Sequence, residues 1–352
     1  MNSPREVNTV QREMTETGHL LNNKGELMQT GYAKQLLLTY DRKAIKAQGW
    51  RIKEWDYYLI TNDDFGVALT IADNSYMALI SVSFIDFKRA SFQTTSVIKP
   101  LTFGKLNLPS TSKKGDIVYQ DKRIQMSFLH TVNGRKLCCR MKNFDGKKDF
   151  ACDIDLFNEP QDSIVMAIPF KEDKKAFYYN QKINGMRAKG HVHYGATEYQ
   201  FHESTTFATL DWGRGVWTYK NTWYWGAASG VVNGKSFGFN IGYGFGDTSN
   251  ASENMLFYDG VGHKLDEVTF HIPQKNGNFD YLEPWQFTSN DGRFEMDFIP
   301  ILDRKDYTSV MIISSDQHQV FGRFTGKAVL DDGSIIQVKD FLGFAEKVSN
   351  KW

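Results

Sequence analysis

Residues 211–225 read Asp-Trp-Gly-Arg-Gly-Val-Trp-Thr-Tyr-Lys-Asn-Thr-Trp-Tyr-Trp and contain four of the eight tryptophans in the 352-residue chain. Side chains along a β-strand point alternately to its two faces. The residues on one face of the predicted strand are Trp217, Tyr219, Asn221, Trp223 and Trp225. This aromatic face suits either a solid core or a lined cavity. The nearby polar groups of Asn221 and Asp211 favour a ligand-binding cavity, because a buried polar group needs a partner.

The next apolar stretch, residues 236–246, has a complementary pattern. Its odd-numbered positions are all large and apolar, whereas its even-numbered positions are four glycines, one serine and Asn240. Glycine weakens the interior of a strand, so four in alternation need a reason. The bare face predicts either a sharp bend of a barrel or room for a ligand against the backbone. In the second case Asn240 is a candidate polar contact to that ligand.

Turn sequences around these stretches predict an antiparallel all-β protein. Asn-Gly and Asp-Gly tolerate the positive φ of tight hairpins, and most of these dipeptides lie between short aromatic or β-branched runs. The eight dipeptides are Asn133-Gly134, Asp145-Gly146, Asn184-Gly185, Asn233-Gly234, Asp259-Gly260, Asn276-Gly277, Asp291-Gly292 and Asp332-Gly333. Helical periodicity is scarce, and only residues 33–47 predict a short helix. A glycine cluster at 185–195 predicts a boundary between two β domains nearby.

Composition narrows the functional classes. The net charge of +1 argues against a nucleic-acid binder. No apolar run approaches the length of a membrane span, and residues 1–7 lack the apolar segment of a signal peptide. Three cysteines, two of them adjacent, do not form a disulfide framework. We therefore expect free thiols and a cytoplasmic location.

Several segments resemble, in order along the chain, the family called domain of unknown function 2804. The central one is Leu210–Trp225, which is long and specific. The other matching segments are 18–32, 50–58, 180–186, 240–247 and 253–260. The resemblance covers nearly the whole chain.

This resemblance implies a relationship to the calycin-like double-lipocalin proteins, which include carotenoid hydratases and tocopherol cyclases. The implied fold class is all-β, with two antiparallel lipocalin-like (calycin) β-barrel or half-barrel domains. We expect an arm at residues 1–30, a first domain at 31–188 and a second at 189–352. In carotenoid hydratases an aspartate in a related aromatic motif protonates a carbon–carbon double bond. Asp211 occupies a comparable place, although the Gly-Arg-Gly insertion after Trp212 departs from the hydratase pattern.

The physical chemistry of Asp211 supports two interpretations. Burial in an aromatic cavity disfavours the carboxylate, so a buried Asp211 would be a proton donor near neutral pH. Trp217, Trp223 and Trp225 would then offer π faces to a developing cation. In contrast, an ion pair with Arg214 would keep the carboxylate ionised and give the pair a structural or ligand-binding role.

Other polar residues are weaker candidates. Asp247 either caps a turn or extends over the mouth of the barrel. His191 and His193 share one side of a strand, and a metal site there would use His202 or Glu203 as well. Two histidines alone are weak evidence for such a site, so we expect no metal. Lys182 and Arg187 are placed either at the surface or against an anionic group of a ligand.

The sequence thus predicts an enzyme, without redox cofactor, for a hydrophobic small molecule such as a polyene, isoprenoid or fatty acyl compound. Asp211 would donate a proton for hydration, isomerisation or cyclisation. The predicted ligand-binding residues are Arg214, Trp217, Tyr219, Asn221, Trp223, Trp225, Asn240 and Asp247. The alternatives are a non-catalytic carrier of lipids or apolar metabolites and, third, a carbohydrate-binding protein. The expected partner is the hydrophobic ligand, with no nucleic acid and no membrane span, and a homodimer is compatible with the sequence.

Overall fold

A computed structural model of the protein describes residues 11–310 and 313–351. The first ten residues of the predicted arm therefore lie outside the described residues. The first strands in chain order are β1 (Gly18–His19), β2 (Gly31–Ala33), β3 (Leu38–Thr39), β4 (Ile52–Thr61), β5 (Phe65–Asp73), β6 (Met77–Asp86), β7 (Ser91–Pro100), β8 (Ile117–Gln120), β9 (Ile124–Thr131), β10 (Gly134–Met141), β11 (Phe150–Phe157), β12 (Ile164–Phe170), β13 (Asp173–Tyr194), β14 (Thr197–Phe201) and β15 (Phe207–Val216).

The remaining strands are β16 (Lys220–Val232), β17 (Lys235–Tyr243), β18 (Met255–Tyr258), β19 (Val261–Lys264), β20 (Val268–His271), β21 (Gln274–Lys275), β22 (Asn278–Phe279), β23 (Trp285–Ser289), β24 (Phe294–Val310), β25 (Ile313–Val329) and β26 (Ile335–Lys351). Two short 3-10 helices occupy Arg42–Ala44 and Gly49–Arg51.

Two curled antiparallel half-barrel sheets make up the fold. Within the described residues the first sheet has thirteen strands, in the order β7-β6-β5-β4-β15-β13-β11-β10-β9-β8, with β2, β12 and β14 attached. The second has nine strands, in the order β19-β18-β17-β16-β26-β25-β24-β23-β20. This architecture confirms the predicted all-β, lipocalin-like fold class.

The Asn-Gly and Asp-Gly dipeptides predict the hairpins well. Seven of the eight lie between consecutive strands that pair antiparallel, for example Asn233-Gly234 between β16 and β17. The eighth, Asn184-Gly185, lies inside β13, where the register with β15 shifts between Asn184 and Met186. This dipeptide therefore makes a β-bulge, in which one strand carries an extra residue.

The predicted helix over residues 33–47 is wrong. The segment contains β3 and one 3-10 turn instead. Tyr40 is buried and donates a hydrogen bond to Glu54 Oε1 at 2.7 Å, which holds the segment extended along the first sheet. The Asp41 side chain accepts from Lys43 N at 2.9 Å and so caps only a single turn.

The chain passes from the first sheet to the second at residues 217–219, between β15 and β16. The predicted division at 188/189 falls inside β13, which runs on to Tyr194. The stretch 211–225 is consequently the end of one strand, a connection and the start of another. The predicted alternation of an aromatic face therefore does not continue through Trp217 and Tyr219, which lie in the connection.

Three groups of buried apolar side chains stabilise this arrangement. The largest fills the first sheet, and a second around Phe239, Phe298 and Phe324 fills the second sheet. The third lies between the two sheets and includes Leu59 from the first and Trp225 from the second. Burial of this third group stabilises the contact between the two sheets.

We predict that Gly213→Ala destabilises the protein by about 1–3 kcal/mol, the usual cost of overpacking. A Cβ at Gly213 would lie 1.9 Å from Trp55 Cζ2, so the indole ring has to move. Gly18→Ala is the matched control, because a Cβ at that position meets no atom within 4 Å. Urea unfolding midpoints of the two variants measure the difference, and equal midpoints would contradict the close packing at Gly213.

Candidate functional site

Strand pairing places two rows of polar side chains against each other between the sheets. In the first sheet, Lys182 pairs with Asp211 and Asp211 pairs with Tyr57, so these three side chains project from the same face. In the second sheet the corresponding row is Trp225, Glu346, Gln319 and Arg304. We call these residues, together with Glu253, the interface cluster.

Lys182 joins the two rows. Its Nζ atom lies 3.1 Å from Asp211 Oδ1 and 3.8 Å from Glu253 Oε2, and 3.9 Å from the centre of the Trp225 ring. Only 3% of Lys182 is exposed. An ammonium group buried this deeply requires opposite charge, and here it obtains Asp211 from the first sheet and Glu253 from the connection between β17 and β18.

Asn240 and Asn180 hold the cluster in place. Trp225 Nε1 donates to Asn240 Oδ1 at 2.8 Å, and Asn240 Nδ2 donates to the Glu253 carbonyl at 2.8 Å. Asn180 Nδ2 donates to Asp211 Oδ1 at 2.5 Å. The side chain of Asn240, predicted as a ligand contact, thus positions Trp225 and Glu253.

The bare glycine face of β17 makes room for Glu253. A Cβ at Gly242 would lie 2.6 Å from Glu253 Oε1 and 2.7 Å from the Tyr224 carbonyl. The space at this position is therefore already filled by a carboxylate of the protein itself. This contact explains why residue 242 is a glycine.

Among the acidic groups of the interface cluster, Glu346 has the most strongly shifted pKa. It is 4% exposed, and burial raises its pKa to about 7. Trp223 Nε1 donates to its Oε1 at 2.9 Å, and Gln319 Nε2 donates to its Oε2 at 3.0 Å. Burial also raises the pKa of Glu253, which the charge of Lys182 partly opposes.

Sequence reasoning did not identify Glu346. One signal was present, since strand alternation puts Glu346 on the same face as Leu342, Phe344 and Val348. A carboxyl on an otherwise apolar face is unusual. Tyr57, whose ring lies 6.1 Å from that of Trp225, was also overlooked as a site residue.

Asp211 and Arg214 do not pair. Position 214 points to the opposite face of β15 from position 211, into the first sheet, where Arg214 Nη2 donates to Asp56 Oδ1 at 2.9 Å. Arg214 is fully buried, and Asp211 pairs with Lys182 instead. The considered Asp211–Arg214 ion pair is therefore wrong, because three residues along a strand reverse the face.

The predicted aromatic residues separate into different environments. Trp217 and Trp223 form an aromatic group with Phe245, whose ring centre lies 4.9 Å and 5.4 Å from theirs. Trp225 belongs to the interface cluster. Tyr219 is 43% exposed in the connection between the sheets.

Asn221 and Asp247 lie beside an open groove of about 420 Å³. Asn221 Nδ2 donates to the Thr218 carbonyl at 2.6 Å and closes the turn between the sheets. Asp247 accepts from Ser249 N at 3.2 Å and lies 3.5 Å from Lys171 Nζ. The groove lining is Phe170, Lys171, Glu172, Thr218, Lys220, Asn221, Thr222, Gly244, Gly246, Asp247, Thr248, Ser249 and Glu267.

The histidine pair lies away from this site. His191 Nδ1 is 2.7 Å from Glu198 Oε1, and both side chains are exposed. Among residues 11–310 and 313–351, no group of three His, Cys, Asp or Glu side chains is arranged to hold a metal ion. In the same part of the chain, no helix is long and apolar enough to cross a membrane.

The fold and the location of the site between two half-barrels define a lipocalin-like double-barrel protein. The chain belongs to the family described as domain of unknown function 2804, whose model matches residues 11–352. The resemblance deduced from the sequence motifs is thus confirmed. No curated protein matches the sequence.

Solved structures are similar to this protein at low sequence identity. A structure assigned to AttH from Nitrosomonas europaea has a TM-score of 0.53 and 12% identity, covering 88% of this chain and 96% of that one. Kievitone hydratase from Nectria haematococca has a TM-score of 0.47 and 10% identity, covering 89% and 95%. CghA with Sch210972 has a TM-score of 0.44 and 10% identity, covering 84% and 88%. At these identities the similarity concerns the fold alone.

We predict that Glu346 makes stability fall as pH rises. The folded protein holds this proton up to about pH 7, whereas the unfolded chain releases it near pH 4.5. The contribution of Glu346 to the free energy of unfolding is complete below pH 4.5 and is lost as pH rises through about 7. A shift of this size corresponds to about 3 kcal/mol.

Urea unfolding of Glu346→Gln and the parent protein between pH 4 and 8 measures this effect. The difference between the two proteins should change by about 3 kcal/mol across that range. Glu283→Gln, at an exposed position, is the control and should run parallel to the parent. If the pH curve of Glu346→Gln also runs parallel to that of the parent, the buried carboxyl does not retain its proton.

Proposed function

We propose that this protein is an enzyme that acts, without redox cofactor, on a hydrophobic small molecule such as a polyene, isoprenoid or fatty acyl compound. The reaction is acid-assisted hydration, isomerisation or cyclisation. The observation that carries the proposal is Glu346, a buried carboxyl between two half-barrels with a pKa of about 7. Such a group holds a transferable proton at neutral pH beside aromatic rings.

The proton transfer balances within the site. The protonated Glu346 carboxyl gives its proton to one carbon of a double bond, forming a C–H bond and leaving a carboxylate and a carbocation. The cation then adds water and loses a proton from the added oxygen, is attacked by a second double bond to give a ring cation that loses a neighbouring proton, or loses a neighbouring proton directly. In each case one proton is released and restores the carboxyl.

Aromatic rings near Glu346 are suited to the cationic intermediate. Trp223 hydrogen-bonds to Glu346 and is only partly buried. A face of the Trp225 ring is already covered by Lys182 Nζ. The cation-stabilising role therefore falls first to Trp223, at about 1–2 kcal/mol for a desolvated contact.

Asp211, which the sequence predicts as the proton donor, has a different role in this proposal. Its Oδ1 accepts from Asn180 and lies 3.1 Å from Lys182 Nζ, so one oxygen already has two donors. Glu346 accepts hydrogen bonds from the neutral side chains of Trp223 and Gln319. We therefore assign the proton-donor role to Glu346 ahead of Asp211, and a charge-balancing role to Asp211.

We predict that Glu346→Gln lowers turnover at least about 100-fold while ligand binding is retained, since general acids contribute roughly that factor or more. The compound that copurifies with the protein is identified by native mass spectrometry and used as the ligand. Incubation in D₂O then reports protonation at carbon through deuterium incorporation. Asp211→Asn and Glu283→Gln are compared in the same assay.

Two results would overturn this assignment. Deuterium incorporation by Glu346→Gln equal to the parent, with loss only in Asp211→Asn, would move the acid to Asp211. Binding without incorporation in any protein would favour the non-catalytic carrier.

We also predict the pH dependence of turnover. The reacting form carries the proton on Glu346, so the rate is constant below about pH 7 and falls about tenfold per unit above it. Rates of the parent protein and Asp211→Asn between pH 5 and 9 test this. A rate that rises above pH 7 would contradict an acid role for Glu346.

A further inference from the structure

The open groove near Asn221 ends against the aromatic group that covers Glu346. Phe170, in the groove lining, has its ring centre 5.3 Å from that of Phe245. Phe245 in turn contacts Tyr178, Trp217 and Trp223 edge to face, at 4.8, 4.9 and 5.4 Å. Trp223 is the ring that hydrogen-bonds to Glu346. Phe245 therefore lies between Phe170 in the groove lining and the Trp223 ring that contacts the buried acid.

The backbone on both sides of Phe245 has unusual freedom. Gly244 and Gly246 have φ values of +92° and +75°, in the region that other residues rarely adopt. The chain is fixed again just beyond, where Asp247 N donates to the Pro169 carbonyl at 2.8 Å. Hinge positions are often small residues that absorb large changes of φ and ψ, and two glycines flank Phe245 here.

The groove side presents hydrogen-bonding groups of mixed charge. Hydroxyls come from Thr218, Thr222, Thr248 and Ser249, and the charged side chains include both lysines and carboxylates. In the aromatic group, the Trp217 N–H is buried and has no hydrogen-bond partner among the described residues. A buried donor without a partner is costly, and a ligand oxygen would satisfy it.

The geometry points to the groove as a binding site for the polar end of an amphipathic ligand with an uncharged, hydroxylated head. The apolar end passes Phe245, which turns aside on its two glycines, and reaches Trp223 and Glu346. The groove lining carries two lysines and three carboxylates, and this excess of negative charge disfavours a strongly anionic head such as a phosphate. This inference rests on the proposed function for the location of the reacting end, and it adds the ligand class and the access route.

The test uses the full chain and ω-bromodecyl glucoside, whose bromine quenches indole fluorescence on contact. Stopped-flow mixing gives the rate of quenching, and bromodecyl phosphate supplies the charged comparison. The indole fluorescence of Phe245→Ala should be quenched about tenfold faster than that of the parent, which is equivalent to lowering the opening barrier by about 1.4 kcal/mol. Phe245→Leu should be intermediate, and it keeps the assay informative if the alanine variant does not fold.

Phe237→Ala is the matched control, because Phe237 is equally buried but packs in the core of the second sheet. It should quench at the parent rate. The inference fails if both alanine variants quench alike, or if the phosphate binds as tightly as the glucoside. Glu346→Gln should keep the parent quenching rate, so a failure of the catalytic proposal is distinguishable from a failure of the access route.

Discussion

The buried ammonium group of Lys182 is the interaction on which the relation between the two sheets depends. It contacts Asp211 from the first sheet, Trp225 from the second, and Glu253 from the connection between β17 and β18 of the second sheet. A charge removed from water is tolerated only where opposite charge and hydrogen bonds compensate for the lost hydration. Because those compensating groups come from both sheets, the ion pair specifies how one half-barrel sits on the other.

The raised pKa of Glu346 follows from the same arrangement. Lys182 contacts Asp211 and Glu253 directly, whereas the hydrogen bonds that Glu346 accepts from Trp223 and Gln319 come from neutral groups. Arg304, the nearest cation along its row, donates to Gln319 and Ser83 rather than to Glu346. Burial therefore outweighs the favourable charges, and the pKa of Glu346 rises to about 7.

Local sequence chemistry predicted much of the fold but little of the site. Positive-φ dipeptides such as Asn233-Gly234 fix a hairpin through two residues, so they are readable without partners. The interface cluster depends on which strands pair and in which register. Nothing local in the sequence brings Lys182 beside Asp211, or Glu346 beside Trp225. The interruption at residues 217–219 likewise could not be read from an alternation that looked continuous.

The most direct test of the central claim is an infrared measurement of the buried carboxyl. Difference spectra between the parent protein and Glu346→Gln at pH 6 should show the carbonyl band of a protonated carboxylic acid, lost in the variant and fading as pH rises through about 7. A difference spectrum that contains only carboxylate bands at pH 6 would contradict the account.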